Sequence, residues 1–437
     1  MKDPNAESAA DSHAASTTDP AHPTRREFLT TMGAAVIADA LPETDPAAAG
    51  RMPPDLPREL RPNGADLGTL FPEVARLTDR QPYDHSFLTG RFATLAEWKA
   101  AGREKVLEGV CYRPEPVDPQ PEVVERVDCG AYVREKLLFS TSPHLRVPAY
   151  VLIPKGLRGR APAIVDLHSH GGMFLFGKEK VVDFGENHPA MVEYHVQNYD
   201  GRPTATELAR RGYVVIIIDA LGFGERRILT DRDLEVGWDR TRYSLEEVRR
   251  LNQINRAKES TLAKSLVLAG FTWPGVVFWD DMRTVDYLVT RPEVDPGRLG
   301  CVGISMGGYR SLFLAGLDER IRAACVVGFM STVRPMIRAH VDTHSNVHFV
   351  PALHAHLDWT DVVGMHAPQP LLVQQCSQDR LFPADGMRES LVEIRKIYQK
   401  AGAADQFMGR FYDAPHRFTR AMQEDAFAWF DAQLKPA

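Results

Sequence analysis

Three residue types that together carry out nucleophilic acyl transfer follow one another along this chain: Ser305 within Gly303-Ile304-Ser305-Met306-Gly307, then Asp379, then His416. A serine hydroxyl attacks poorly until a base takes its proton, and an imidazole does so near neutrality because its unperturbed pKa is about 6.5. A carboxylate behind the imidazole fixes its tautomer and stabilises the imidazolium. Small residues on both sides of Ser305 suit a sharp, strained strand-to-helix turn that presents the hydroxyl above a sheet. The N–H of Met306 then opens a helix and points at the negative charge developing on an attacked carbonyl.

That charge calls for a second donor. The apolar run 163–167 leads into His168-Ser169-His170-Gly171-Gly172, where glycine lets the backbone approach a substrate closely. The His170 N–H is the expected second oxyanion donor, with Gly171 as the alternative; His168 reads as a buried, hydrogen-bonded loop residue. Asp379 ends a loop that follows an apolar strand, where sheets of this kind place chemistry. Asp413 and Asp361 are the alternative acids. Among 15 histidines, His416 is selected by position, between a short last strand and the final helix.

The elements that must position these residues follow from the hydrophobic pattern. Apolar strands over 163–167, 213–218, 299–304, 321–329, 370–375 and 409–412 alternate with helical segments over 205–211, 279–290, 306–317, 387–401 and 420–434. This rhythm predicts an α/β fold, a mostly parallel central sheet covered by helices on both faces. Runs over 123–127, 132–139 and 147–153 predict an antiparallel edge. The divisions expected are 1–50, a disordered region with an export signal; 51–120, a linker and N-terminal helical preface; and 121–437, the catalytic domain. Stretches 174–199, 223–272 and 332–363 fit the rhythm poorly and are expected to be lid-like insertions that wall a pocket.

At 437 residues and 44% hydrophobic the chain can bury a full core, and a net charge of -6 offers no basic footprint for nucleic acid. The five cysteines are odd in number and form no Cys-x-x-Cys pair; Cys301 and Cys325, in apolar runs, read as buried thiols. His340, His344 and His348 recur at a four-residue spacing near His354, His356 and His366, a pattern that could hold zinc. Pro351 breaks any long helix there, and no carboxylate or thiolate set accompanies the histidines, so the segment is expected to line a pocket instead. Glu225, Arg226 and Arg227 read as a structural ion-pair network, and Trp273, Trp279 and Trp359 as core packing rather than platforms for a sugar ring.

Residues 1–23 lack large apolar side chains and are expected to be disordered. Thr24-Arg25-Arg26-Glu27-Phe28-Leu29, followed by the apolar stretch 32–38, resembles a twin-arginine export signal, which implies the translocation machinery as a partner and a periplasmic or secreted protein. No apolar run approaches the ~20 residues of a stable membrane span.

Further marks accompany the triad: Leu208-Ala209-Arg210-Arg211-Gly212-Tyr213, Asp219-Ala220-Leu221-Gly222-Phe223-Gly224-Glu225-Arg226, Arg291-Pro292-Glu293-Val294-Asp295 and Leu381-Phe382-Pro383. With them, 90–435 resembles the α/β-hydrolases of the acetyl xylan esterase and dienelactone hydrolase-like kind. The resemblance implies a Ser-Asp-His triad on Ser305, Asp379 and His416, no metal or organic cofactor, and a small-molecule or carbohydrate ester as substrate. Many dienelactone hydrolases carry cysteine where this chain has Ser305, so thiolate chemistry is not expected. The rival expectations are a serine peptidase or amidase of the same fold and a catalytically silent binding protein.

Overall fold

Runs rich in aliphatic and β-branched residues build one nine-stranded sheet in the computed structural model, which describes residues 57, 60, 61, 63–78, 82–231 and 239–435. The Arg25-Arg26 motif and the rest of 1–50 lie outside the described residues. β1 (Glu122–Asp128), β2 (Tyr132–Ser142) and β3 (Leu145–Pro154) form an antiparallel meander, and β3 pairs antiparallel with β5 (Val214–Ile218). From β5 the sheet continues in parallel through β4 (Ala161–Asp166), β6 (Val294–Ile304), β7 (Ile321–Val327), β8 (Leu371–Cys376) and β9 (Phe407–Tyr412). All nine expected strands are present, with ends shifted by a few residues.

β4, β5 and β8 are buried at every position, because helices cover both faces. Side chains alternate between two cores: Ala163, Val165, Val214 and Ile216 point to one, Ile164, Val215 and Ile217 to the other. The first core packs against α2 (Leu95–Val110), α6 (Trp273–Thr290), α7 (Met306–Leu317), α9 (Trp359–Gly364) and α10 (Ala384–Lys400). The second packs against α3 (Pro189–Tyr199), α4 (Thr204–Arg210) and α11 (Arg420–Leu434). The preface contributes α1 (Phe71–Leu77) and α2, whose Trp98 stacks on Phe87 at 4.7 Å and donates Nε1–H to the His85 carbonyl at 2.8 Å.

Among the described residues, two helices are the longest in the stretches expected as lid-like insertions. One is α3; the other is α5 (Leu245–Leu268), opened by a capping box between Ser244 and Glu247. α5 buries only Val248, Leu251, Asn255 and Glu259 along its 24 residues, too thin a stripe to announce a core helix by periodicity. α6 begins at Trp273 rather than 279, since the Thr272 hydroxyl accepts from Gly275 N–H and Pro274 suits a first turn. Among the described residues no single helix is long and apolar enough to cross a membrane.

The strand order positions the chemistry. From β4 the chain crosses to β5 on one side, then returns to place β6 on the other side of β4. Such a reversal opens a crevice at the carboxyl ends of the two central strands. β4 delivers the loop 167–172 to that crevice, and β6 delivers Ser305.

Candidate active site

Ser305 adopts φ 60° and ψ -124°, a region that side chains other than glycine rarely occupy. Its N–H donates to the Val327 carbonyl of β7 at 3.0 Å, and α7 starts at the next residue. The flanking glycines are required by contact: a Cβ on Gly303 would lie 2.4 Å from the Leu167 carbonyl oxygen, and one on Gly307 would lie 1.9 Å from it. The turn is therefore pressed against the exit of β4, which brings the loop 168–172 beside Ser305.

On the other side, His416 Nδ1 donates to Asp379 Oδ2 at 2.6 Å. The carboxylate is buried, and its second oxygen accepts the Leu381 N–H at 2.9 Å. Two backbone bonds, Ser377 N–H to Tyr412 O at 2.8 Å and Gln378 N–H to Ala414 O at 3.1 Å, clasp the loops after β8 and β9 and so bring the pair together. The imidazole lies on Gly328, directly after Val327, where a Cβ would stand 3.4 Å from His416 Cε1. With Nδ1 as donor, Nε2 is the free basic nitrogen, and it has no hydrogen-bond partner among the described residues. Burial lowers the imidazolium's pKa, but the Asp379 charge and hydrogen bond outweigh it and hold His416 above its ordinary 6.5.

The alternative acids are engaged elsewhere. Asp413 accepts from Ser377 Oγ at 3.2 Å and Gln378 Nε2 at 2.8 Å; Asp361 accepts from Ser86 Oγ at 2.6 Å and caps α9 through Asp358 N–H at 3.1 Å.

Among the described residues, the N–H groups of Met306 and His170 donate to no acceptor. The loop carrying His170 is held from several directions. His168 Nε2 accepts the Ala220 N–H at 3.2 Å and its Nδ1–H donates to Ser169 O at 3.0 Å, which makes it the hydrogen-bonded loop histidine expected. Ser169 Oγ bonds the hydroxyls of Tyr194 at 2.6 Å and Tyr199 at 3.1 Å, both on α3. His170 Nδ1 accepts the Gly172 N–H at 3.0 Å, so its Nε2–H donates to Glu259 Oε1 of α5 at 2.8 Å. Arg310 of α7 is paired with Asp281 at 2.6 and 3.0 Å and reaches the His168 carbonyl at 3.5 Å. The supports Tyr194, Tyr199, Glu259 and Arg310 are not singled out by sequence, because each reaches the loop from a distant part of the chain.

The remaining motifs find structural places. Arg226 bonds Asp280 at 2.7 Å and Glu225 bonds Lys178 at 2.5 Å, an ion-pair network as expected. Trp273 and Trp279 donate to the carbonyls of Leu221 and Thr141 at 2.9 and 2.7 Å, and Trp359 is buried. Cys301 and Cys325 are buried free thiols. His344 and His348 pack around Phe329, the residue after Gly328, at 6.2 and 5.2 Å between ring centroids, and His344 meets Phe382 at 5.0 Å. His344 thus faces the His416 side, and burial pushes its pKa down to about 4. Of the histidines weighed for zinc, His356 joins His85 at the exposed Asp84 carboxylate, at 2.9 and 2.8 Å, with the three ligand atoms within 4.8 Å of one another.

A model of the Abhydrolase family matches residues 75–426. The chain belongs to this family. Relatives of known sequence include the Bacillus subtilis protein named "Putative hydrolase YtaP", 29% identical over 62% of this chain and 78% of that one. Among solved structures, a Bacteroides fragilis protein described as a "putative acetyl xylan esterase" superposes with a TM-score of 0.57 at 19% identity, covering 78% of this chain and 81% of that one. A glucuronoyl esterase from Solibacter usitatus gives 0.56 at 14% identity, over 80% and 97% of the two chains. These likenesses establish the α/β-hydrolase fold that the sheet order describes.

Proposed function

We propose that this Abhydrolase family member is a serine carboxylic-ester hydrolase that works through an acyl-enzyme. The observation that carries the reading is the His416 imidazole, bonded at Nδ1 to buried Asp379, open at Nε2 and resting on Gly328, next in the chain to the Val327 carbonyl that accepts the N–H of a serine held at φ 60°. In the first step Ser305 Oγ bonds to the ester carbonyl carbon while its proton passes to His416 Nε2. The tetrahedral oxyanion accepts hydrogen bonds from the N–H groups of Met306 and His170. Collapse breaks the bond to the alcohol, which leaves with the proton from His416; water then repeats the sequence and frees the acid.

The substrate class proposed is a short-acyl or uronic ester of a carbohydrate. Support comes from the named activities of the two solved neighbours, an acetyl xylan esterase and a glucuronoyl esterase. Assay of the chain on an aryl acetate, an acetylated xyloside and a methyl glucuronate tests it. Ser305→Ala is expected to abolish turnover of whichever ester is cleaved, with circular dichroism unchanged; retained turnover would sink the assignment.

Export through the twin-arginine route belongs to the same proposal, on the strength of Arg25-Arg26 and the apolar stretch after it. Replacing both arginines with lysine should leave the protein in the cytoplasmic fraction; unaltered periplasmic or extracellular activity would count against it.

A further inference from the structure

Lys178 and Lys180 both have fully buried side chains, but only one has counter-ions. Lys178 Nζ meets Asp219 at 2.8 Å, Glu225 at 2.5 Å and Glu179 at 3.1 Å. Lys180 Nζ donates instead to two backbone carbonyls, Ser169 O at 2.7 Å and His170 O at 3.0 Å, and lies over the rings of Phe223 at 4.5 Å and Tyr194 at 5.6 Å. Among the described residues no carboxylate forms an ion pair with it, and burial holds its pKa well below the ordinary lysine range. A methionine would fill this place without desolvating an amine, so packing alone does not account for lysine.

The two carbonyls are informative. Ser169 O and the His170 N–H belong to the same peptide unit. A donor on the carbonyl draws electron density through the amide and strengthens the N–H as a donor at its other end. That carbonyl also accepts His168 Nδ1–H at 3.0 Å, and the His170 carbonyl accepts Met173 N–H at 3.1 Å, so the peptide is gripped on both sides of His170.

We propose that Lys180 is a positioning residue of the oxyanion hole: by donating to the Ser169 and His170 carbonyls it fixes the plane of the Ser169–His170 peptide and polarises its N–H toward the tetrahedral intermediate. This rests on the roles proposed for Ser305 and His170. A group that acts only on the oxyanion strengthens transition-state binding and leaves ground-state binding alone, so its loss falls on kcat rather than KM.

The test uses the full chain with an aryl acetate as substrate and an arylboronic acid, which forms a tetrahedral adduct on a serine, as the transition-state probe. For Lys180→Met, kcat is expected to fall about 10- to 100-fold with KM within about twofold, and boronate affinity to fall in parallel. Lys180→Gln keeps an N–H₂ donor on a shorter stem and should lose less, about three- to tenfold in kcat. Should the methionine variant fail to fold, the glutamine variant decides by the same criteria. A folded variant with kcat within about twofold of the parent, or a loss confined to KM, would overturn the assignment. A parent chain that hydrolyses no ester would instead count against the reading of Ser305, so the two failures are distinguishable.

Discussion

On one flank of Ser305, a single imidazole is held by one carboxylate oxygen at 2.6 Å and rests on the backbone of Gly328. On the other, the five-residue loop 168–172 is held by side chains from α3, α5 and α7 and by Lys180 from the segment between β4 and α3. The base flank needs few contacts because its parts are reactive side chains whose partners are each other. The oxyanion flank presents backbone N–H groups, and a backbone group can be aimed only by fixing the peptides around it. Its supports are accordingly numerous, buried and drawn from distant parts of the chain.

This asymmetry can be broken in order of effect. Asp379→Asn removes the one partner of the base flank and leaves an amide that can present the wrong hydrogen-bond partner to His416; kcat is expected to fall by about 10⁴ in a steady-state ester assay with the fold intact. Gly307→Ala drives a methyl group into the Leu167 carbonyl, where the oxyanion loop begins. It should cost about 10²-fold or more in kcat/KM and lower the melting temperature, since an error near 1 Å in a reacting group is enough for such a loss. Glu259→Gln weakens one support of many, and about a tenfold loss in kcat is expected with KM nearly unchanged. Combined with Asp379→Asn it should multiply the two effects, because the groups act on opposite sides; strong departure from the product would show the flanks to be coupled.

The smallest effect is on pH. His416 must be neutral to accept a proton, and Asp379 raises its pKa, so kcat/KM should decline on the acid side with a midpoint above 6.5. In Asp379→Asn the midpoint should move to lower pH, which a pH–rate profile would detect.

The same asymmetry explains what could be read from sequence. Strand periodicity, the glycines around Ser305 and the order serine, acid, histidine were enough to expect β6, the turn, and the pairing of Asp379 with His416 in the folded chain. The oxyanion loop could be located, since it follows a buried strand. Its supports could not: Glu259 reaches His170 across 89 residues and Arg310 reaches His168 across 142, and no local pattern encodes such distances. The helices α3 and α5 were missed for a related reason. α5 spends two of its four buried positions on Asn255 and Glu259, and such polar anchors weaken the apolar stripe by which a helix is recognised; α3 is only 11 residues long. These stretches were expected as pocket walls, and part of each stands behind the oxyanion loop.

β1 has a consequence for how copies of this chain meet. It is the outer strand of the meander, exposed at nearly every position, with a register shift between Val123 and Glu125 and charges at Glu122, Glu125, Arg126 and Asp128. An open strand with free N–H and C=O groups invites another strand to join it, and a bulge flanked by charge frustrates that pairing. The sheet thus ends in a rim built to be a poor template, and this end of the molecule should resist strand-on-strand aggregation even when the protein is crowded.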